Sequence, residues 1–364
     1  MFSLAKFSGR SFDWLLFLAV FFLIAFGLMA IYSVDLSRGS ELFYFKKQLV
    51  ALSLGLLLLF IASLNQYTFF KTYARWFYFF SIILLITVLI FGQNIRGTTG
   101  WFYFLGLSFQ PVELTKVGVI LMLSYVISNF GRQFERARFF FGTLLLTLLP
   151  IFFIMLQPDL GSAILIGAIW FILMFLTGAR KTFIFGFILL FIAMAVFSWF
   201  FLFKDYQKDR LMNFINPTHD PLGSGYNVLQ STIAVGSGGL FGRGLGFGSQ
   251  SQLRFLPETQ TDFVFSVIAE ELGFLGVSVL LILFLIIFWR LISLISKTNN
   301  DFIALTVSGV AALFFSQFFI NIGANVGLLP VTGVTLPFVS SGGSSLMMNL
   351  LLIGIVESMV EKKY

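Results

Sequence analysis

Cysteine is absent from the chain of 364 residues, which excludes disulfide bridges, thiolate metal sites and a cysteine nucleophile. Histidine occurs once, at His219, so the His and Cys clusters that hold zinc are excluded as well. Charged residues are scarce, at 11% of the chain, whereas 58% are hydrophobic and 51 are phenylalanine. No soluble fold needs so much apolar surface, and we therefore predict an integral membrane protein.

The apolar residues form ten segments that could cross a membrane. They predict an all-α polytopic membrane protein, with residues 1–364 in one membrane domain. The first segment is long and lacks a small-x-small cleavage site, so we expect a retained helix and not a cleaved signal peptide. The predicted helices are Trp14–Val34, Gln48–Leu64, Trp76–Phe91, Pro111–Asn129, Phe139–Leu156, Leu160–Thr177, Phe183–Phe203, Phe263–Trp289, Phe302–Gly323 and Ser341–Val360.

The basic residues predict the orientation of the chain. If the N-terminus is cytoplasmic, 13 of the 23 Lys and Arg residues lie inside: Lys6, Arg10, Lys71, Arg75, Arg132, Arg136, Arg138, Arg180, Lys181, Arg290, Lys297, Lys362 and Lys363. Of the others, five belong to the long loop of residues 204–262, and such loops are exempt from the positive-inside rule. We therefore expect both termini in the cytoplasm and the long loop outside.

The long loop contains the glycine-rich stretch GSGGLFGRGLGFGSQ. This stretch follows no predicted strand and matches no nucleotide-binding motif, so nucleotide binding is not expected. Two alternatives remain open: a flexible, close-packed loop, or backbone amides that hold a lipid phosphate together with Arg243 and Arg254. We expect a loop without clear strands or long helices, packed on the outer membrane surface or dipping into it.

The stretch FLPETQTDFVFSVIAEELG carries four acids where a membrane helix begins. A charge at the centre of such a helix costs roughly 2.5–3.5 kcal/mol, so these acids need a reason. Asp262 stands where an N-cap belongs, and capping is one explanation. Glu270 is expected to lie deep and Glu271 to pair with a cation on the inner side. One helix face, predicted to meet a cavity or another helix, carries Asp262, Ser266, Ala269, Glu270 and Gly273.

Two further places carry intramembrane charge. Glu113 and Lys116 are spaced i, i+3 at the start of a predicted helix. They either form an ion pair that allows the helix to insert into the membrane or belong to a functional site. Asp159 follows a proline in a tight turn, and either caps the next helix or belongs to the same site. In the predicted topology Glu113, Asp159 and Asp262 all lie at the outer ends of helices. Three acids at one depth favour a shared site.

Five long motifs of the sequence resemble the SEDS family (shape, elongation, division and sporulation). They are RGTTGWFYFLGLSFQPVELTK, MLQPDLGSA, DPLGSGYNVLQSTIAVGSGGLFGRGLG, QSQLRFLPETQTDFVFSVIAEELG and LLPVTGVTLPFVSSGGSS. DPLGSGYN and QSQLRFLPE resemble the elongation branch of the family more than the division branch. The chain departs from common family residues at Val112, Ser162 and Ser341, and these departures leave the charged positions intact.

The resemblance implies a peptidoglycan glycosyltransferase that joins lipid II into β-1,4 glycan strands at the outer face of the bacterial cytoplasmic membrane. It implies that Asp262 is the residue essential for polymerisation, and we expect it to act as the general base of an inverting reaction. The ionised base should have a cation close by. Further expected substrate-binding or cavity-lining residues are Glu113, Lys116, Asp159, Arg96, Trp101, Arg210, Arg243 and Ser344.

The expected partners are lipid II, membrane lipids, a class B penicillin-binding protein transpeptidase and the elongation machinery, with no nucleic acid. A divalent cation, Mg²⁺ or Mn²⁺, could stabilise the departing pyrophosphate, and no nucleotide or organic cofactor is expected. Two other functions fit the helices and acids: a lipid II flippase, or a scaffold that activates a partner synthase. A flippase needs charges along its whole path.

Overall fold

The computed structural model describes residues 12–38, 42–95, 98–104, 107–130, 137–201 and 224–360, together with residues 208 and 212. This part of the chain is mostly helical. Before the long loop the helices are α1 (Trp14–Arg38), α2 (Phe43–Leu64), α3 (Tyr67–Phe91), α4 (Pro111–Phe130), α5 (Ala137–Leu156), α6 (Leu160–Leu176) and α7 (Lys181–Phe201). The later helices are α8 (Ser224–Ser237), α9 (Ser249–Gln252), α10 (Val264–Lys297), α11 (Asp301–Asn325) and α12 (Gly343–Glu357).

The helices confirm the predicted all-α polytopic fold. Each of the ten predicted segments coincides with one helix, α1 to α7 or α10 to α12. Seven of the described helices are long and apolar enough to cross a membrane, and α6 and α12 are apolar but shorter. The predicted boundaries differ at α3, which begins at Tyr67, and at α10, which continues to Lys297. In both cases the helix continues through basic residues beyond its apolar part.

Small residues let the central helices pack closely. A Cβ atom at Gly354 of α12 would clash with the backbone carbonyl oxygen of Leu59 on α2. A Cβ atom at Gly118 of α4 would lie 3.1 Å from the carbonyl oxygen of Phe77 on α3. Such close approach is how helices associate in lipid, where burying apolar side chains supplies little driving force. α4 is mostly enclosed by its neighbours, so the polar residues at its start face protein and not lipid.

A small antiparallel sheet between α3 and α4 was not predicted. Its strands are β1 (Gln93–Ile95), β2 (Thr98–Phe104) and β3 (Leu107–Phe109), with β2 in the middle. A Cβ atom at Gly100 of β2 would lie 3.0 Å from Gln157 Oε1 and 3.9 Å from Gln110 Nε2. The sheet therefore lies against the start of α4 and the turn between α5 and α6.

The long loop departs from its expected structure, because it contains α8, a helix of 14 residues. Ser231 of α8 donates a hydrogen bond to the backbone carbonyl of Asn325 at 2.8 Å, and its hydroxyl lies 2.7 Å from that of Ser266 on α10. All three residues are buried. The loop is thus tied to the end of α11 and the start of α10 through buried hydroxyl groups.

α10 is interrupted at Gly273, where φ is 65° and ψ is −163°. The glycine-rich stretch of the long loop fills this interruption. The backbone N–H groups of Arg243 and Gly244 each donate, at 3.0 Å, to the carbonyl oxygens of Glu270 and Glu271 respectively. On the other side of the break, Phe274 and Leu275 donate to the carbonyls of Gly239 and Leu240. The loop therefore satisfies the backbone groups that the broken helix leaves unpaired.

Two buried clusters mark the two ends of the bundle. At one end, Arg290 forms a 2.6 Å ion pair with Asp13, whose backbone N–H donates to Glu357. At the other end, Ser33 of α1 donates to Glu271 at 2.6 Å. The 20 residues of α1 from Trp14 to Ser33 span about 30 Å, which is the thickness of a bilayer core. Glu271, the neighbour of Glu270, lies at the Ser33 end of this span, and the depth of Glu270 in the membrane stays a prediction.

Candidate functional site

Asp262 lies two residues before Val264, the first residue of α10, and is half-buried. Its backbone carbonyl accepts two hydrogen bonds from α11: one from Asn325 Nδ2 at 2.9 Å and one from Asn321 Nδ2 at 3.0 Å. Asn321 Nδ2 also donates to the carbonyl of Val334 at 2.8 Å. The end of α11 thus fixes the backbone of Asp262 and the segment that leads to α12.

Capping does not explain Asp262. The N-cap position of α10 is Phe263, and no side chain at that position caps the helix. The backbone N–H of Ser266 is instead accepted by Asn325 Oδ1 at 3.2 Å. Asn325 of α11 therefore has the capping role that was predicted as one explanation for Asp262.

The two residues before Asp262 are held by the segment that leads into α12. Ser340 Oγ donates to the carbonyl of Thr261 at 2.6 Å, and the N–H of Ser341 donates to the carbonyl of Gln260 at 2.7 Å. Gln260 Nε2 also donates to Asp35 on α1 at 2.6 Å. The approach to Asp262 is therefore fixed between α1, α11 and the start of α12.

Glu113 and Lys116 form an ion pair of 2.8 Å between Oε1 and Nζ, and both side chains are buried. This confirms the predicted pairing at the start of α4. Because each charge neutralises the other inside the bundle, the pair also accounts for how both residues are tolerated there. Whether either residue contacts a substrate stays a prediction.

Asp159 caps α6 and is joined to the start of α4. Its Oδ1 accepts the N–H of Ser162 at 3.0 Å, so the capping interpretation is confirmed. Its Oδ2 accepts Gln110 Nε2 at 3.2 Å, and the N–H of Gln110 donates to Ser344 Oγ at 3.3 Å. Gln110 therefore brings Asp159, the start of α4 and the start of α12 together. Trp101, half-buried in β2, follows Gly100, where a Cβ atom would lie 3.0 Å from Gln157 Oε1 and 3.9 Å from Gln110 Nε2.

Of three predicted cationic residues, the structure describes only Arg243. Arg96 and Arg210 lie outside the described residues. Arg243 lies at the interruption of α10, where its Nη1 donates to Ser249 Oγ at 2.8 Å. The backbone N–H groups of Gly242, Arg243 and Gly244 are bonded to carbonyls, so these three groups are not available to a phosphate, and phosphate binding by the rest of the stretch stays a prediction. The close approach of Gly238 and Gly242 to the backbone of α10 agrees with the close packing of the other alternative.

Glu270 and Glu271 bind the long loop. Glu270 is fully buried and accepts the N–H groups of Gln250 and Ser251. Glu271 accepts Ser33 Oγ at 2.6 Å and Gln252 Nε2 at 2.8 Å. These partners of Glu271 are uncharged, which contradicts the expected pairing with a cation. The predicted face through Ser266, Ala269 and Glu270 does meet protein, as expected, because the long loop packs on it.

Four polar residues that hold the site together were not predicted from the sequence: Gln110, Asn321, Asn325 and Ser340. Asn321 and Asn325 are spaced i, i+4 at the end of an apolar helix, and that spacing puts two amides on one face. Gln110 directly precedes the proline that starts α4. A polar residue inside a membrane helix is costly without a partner, so its presence in the sequence indicates a buried hydrogen bond.

The described structure defines a class: a polytopic membrane protein whose half-buried aspartate lies at one end of the bundle, beside buried acidic and amide side chains. The chain belongs to the FtsW/RodA/SpoVE family of cell cycle proteins, whose family model matches residues 13–364. Peptidoglycan glycosyltransferase MrdB of Escherichia coli (strain K12) is 35% identical over 345 residues, which cover 92% of this chain and 90% of that protein.

Solved structures agree with this membership. A chain from a peptidoglycan synthase complex that coordinates polymerization and crosslinking is 36% identical, with a TM-score of 0.82, and the match covers 95% of this chain and 97% of that chain. Rod shape determining protein RodA of Thermus thermophilus is 31% identical, with a TM-score of 0.72 and coverage of 96% of each chain. The similarity to rod-shape proteins agrees with the resemblance to the elongation branch.

Proposed function

We propose that this chain is a peptidoglycan glycosyltransferase that polymerises lipid II into β-1,4 glycan strands during cell elongation. The activity named for its relatives supports the reaction class. One observation carries the assignment of Asp262: Asn325, and not Asp262, caps α10, so the half-buried carboxylate is not needed to start the helix. The residue before Asp262 is bonded to Ser340, in the segment that leads into α12. The start of α12 is in turn bonded to Gln110, which also bonds Asp159 and precedes α4.

In this mechanism Asp262 is the general base. Its carboxylate takes the proton of the acceptor 4-hydroxyl group as the oxygen attacks the anomeric carbon of the donor sugar. The bond from that carbon to the α-linked pyrophosphate breaks, and the pyrophosphate-lipid leaves with the bonding electrons. Attack from the opposite face inverts the configuration and gives a β-1,4 bond. A positioned base of this kind contributes about 10²- to 10⁴-fold to the rate.

We propose that the Asp262 end faces outward and that both termini are cytoplasmic. The distribution of basic residues supports this orientation. The depth of the buried charges supports a transferase over a flippase. Among the described residues, every buried charged side chain lies within about two helical turns of a helix end. These residues are Asp13, Asp35, Glu113, Lys116, Glu270, Glu271 and Glu357.

A divalent cation, if used, would enter with the substrate. Within the described ranges no group of three or more His, Cys, Asp or Glu side chains could hold a metal ion, so these residues do not fit a resident metal centre. Glu113 is already neutralised by Lys116, and Asp159 is occupied by hydrogen bonds. Mg²⁺ is commonly held by substrate phosphates with one or two carboxylates, and the lipid pyrophosphate supplies such phosphates.

We propose a class B penicillin-binding protein as the partner that crosslinks the new strands. The similarity to a chain of a peptidoglycan synthase complex supports a partner of this type. Lipid II and surrounding membrane lipids are the other proposed partners.

The test is polymerisation of labelled lipid II by the purified protein with its cognate transpeptidase, comparing wild type with Asp262→Asn. We expect the variant to lose about 10²- to 10⁴-fold in rate with an unchanged thermal stability, because the amide removes the base and keeps the size of the side chain. The matched control is Asp301→Asn, an exposed acid in the first turn of α11.

Two results would overturn the proposal. Polymerisation by Asp262→Asn near the wild-type rate would mean that another group is the base. A wild-type protein that binds lipid II but forms no polymer with its partner and Mg²⁺ would favour a flippase or a scaffold.

A further inference from the structure

The side chain of Asn325 replaces one backbone hydrogen bond at the start of α10. In a regular helix the N–H of Ser266 would donate to the carbonyl of Asp262, four residues earlier. Here Asn325 Oδ1 accepts the N–H of Ser266 at 3.2 Å, and Asn325 Nδ2 donates to the carbonyl of Asp262 at 2.9 Å. A single amide thus satisfies both halves of a bond that the helix does not form.

This amide is held in one orientation. Oδ1 also accepts Ser266 Oγ at 2.7 Å, and Nδ2 also donates to the carbonyl of Asn321 at 2.9 Å. Asn325 is fully buried, so water does not compete for these bonds. Asn321 adds a second donor to the carbonyl of Asp262 at 3.0 Å. Buried polar groups that are fully bonded make a rigid network.

We propose that Asn325 is a positioning residue for the reaction, which holds Asp262 outside α10 so that its carboxylate meets the acceptor hydroxyl. This inference rests on the proposed function of Asp262 as the base. Without the amide, the N–H of Ser266 would bond the carbonyl of Asp262 directly, and α10 would begin one residue earlier. The carboxylate would then turn with the helical backbone, and a misplacement of about 1 Å can cost about 10²-fold in rate.

The first experiment measures kcat and KM for lipid II in Asn325→Ala, in complex with the cognate transpeptidase. We expect kcat to fall about ten- to hundred-fold while KM changes less than about twofold, because the amide orients the base and does not touch the substrate. Asn321→Ala keeps Asn325 in place and should lose less. The matched control is Asn300→Ala, which removes a cap at the other end of α11, where Asn300 Oδ1 accepts the N–H groups of Phe302 and Ile303.

Asn325→Ser keeps the test decisive if the alanine variant does not fold. The serine hydroxyl is shorter and carries a single donor, so it cannot replace all the bonds that the amide makes to Ser266, to the carbonyl of Asp262 and to the carbonyl of Asn321. We expect this variant to fold and to lose at least tenfold in kcat. A kcat within twofold of wild type in either folded variant would overturn the positioning role. Equal losses in Asn325→Ala and Asn300→Ala would also overturn it, since both would then act through general stability.

The same assay separates this inference from the proposed function. If Asp262→Asn is inactive and Asn325→Ala is fully active, only the positioning role fails. If Asp262→Asn is active, the base has been misassigned and the positioning role fails with it.

Discussion

Glu270 Oε1 accepts the backbone N–H of Gln250 at 2.8 Å, so a buried acid of α10 binds the first turn of α9 in the long loop. Its other oxygen accepts the N–H of Ser251 at 3.0 Å. A helix start carries free N–H groups and a partial positive charge, and a carboxylate satisfies both. The acid that seemed costly in a membrane segment therefore anchors the loop beside the interruption of α10.

Glu270→Gln should destabilise the protein by about 1.5–3 kcal/mol, the range for hydrogen bonds to a charged group. The amide keeps the size of the side chain, but its NH₂ group would face backbone donors. The measurement is thermal or chemical unfolding in detergent. Asp301→Asn is the control, because Asp301 is exposed and its loss should cost less than about 1 kcal/mol. Equal stability of Glu270→Gln and wild type would mean that the carboxylate does not hold the loop.

Two glycines with the same backbone angle give a second prediction. Gly242 and Gly246 both have φ of +79°, but a Cβ atom at Gly242 would clash with the carbonyl oxygen of Glu271, whereas one at Gly246 meets nothing within 4 Å. Gly246→Ala should therefore cost about 1–2 kcal/mol for the left-handed backbone alone. Gly242→Ala should lower the stability clearly more, because the added Cβ atom also forces the loop away from the interruption of α10 at Glu271.

Unfolding midpoints of the two alanine variants check this prediction. Equal losses would mean that the loop does not need to approach Glu271 closely. Release of the loop should also lower activity, because the same loop carries Asp262 at its end. Polymerisation should therefore fall more in Gly242→Ala than in Gly246→Ala.

The sequence was sufficient to predict the ten apolar helices, because runs of apolar residues have few alternatives in lipid. It also placed Asp262, Asp159 and the Glu113 pair at one end. It did not predict the contacts of Glu270 with the long loop, because these depend on the break at Gly273, and a glycine in an apolar run does not show whether the helix continues. The amides of Asn321 and Asn325 could be suspected, but their partners are fixed by tertiary packing over about 60 residues of chain.

Asp159→Ser separates capping from chemistry at α6. Serine is also a good N-cap, so the bond to the N–H of Ser162 should persist and stability should change by less than about 1 kcal/mol. The carboxylate and its bond to Gln110 are lost. If Asp159 lines the substrate cavity, polymerisation of lipid II should fall at least tenfold. Asn300→Ser exchanges a cap in the same way at the far end of α11 and should remain active. Full activity of Asp159→Ser would leave capping as its role.

A double variant separates two roles of the buried pair Glu113 and Lys116: mutual neutralisation inside the bundle and a direct part in the reaction. Lys116→Met alone should cost about 3–5 kcal/mol, because it leaves the Glu113 carboxylate buried without its partner. Replacing both, with Glu113→Gln added, removes the unpaired charge, so stability should return to near the wild-type value. Unfolding of the single and double variants in detergent checks this part.

The activity of that double variant decides whether the pair does more than neutralise itself. If Lys116 stabilises the departing pyrophosphate, the double variant should fold normally and still lose at least tenfold in polymerisation, since no cation replaces the ammonium group. If the pair serves only to place α4 in the membrane, polymerisation should recover together with stability. The loss of activity at restored stability is the result we expect, because Gln110 links the first turn of α4 directly to Asp159 and Ser344.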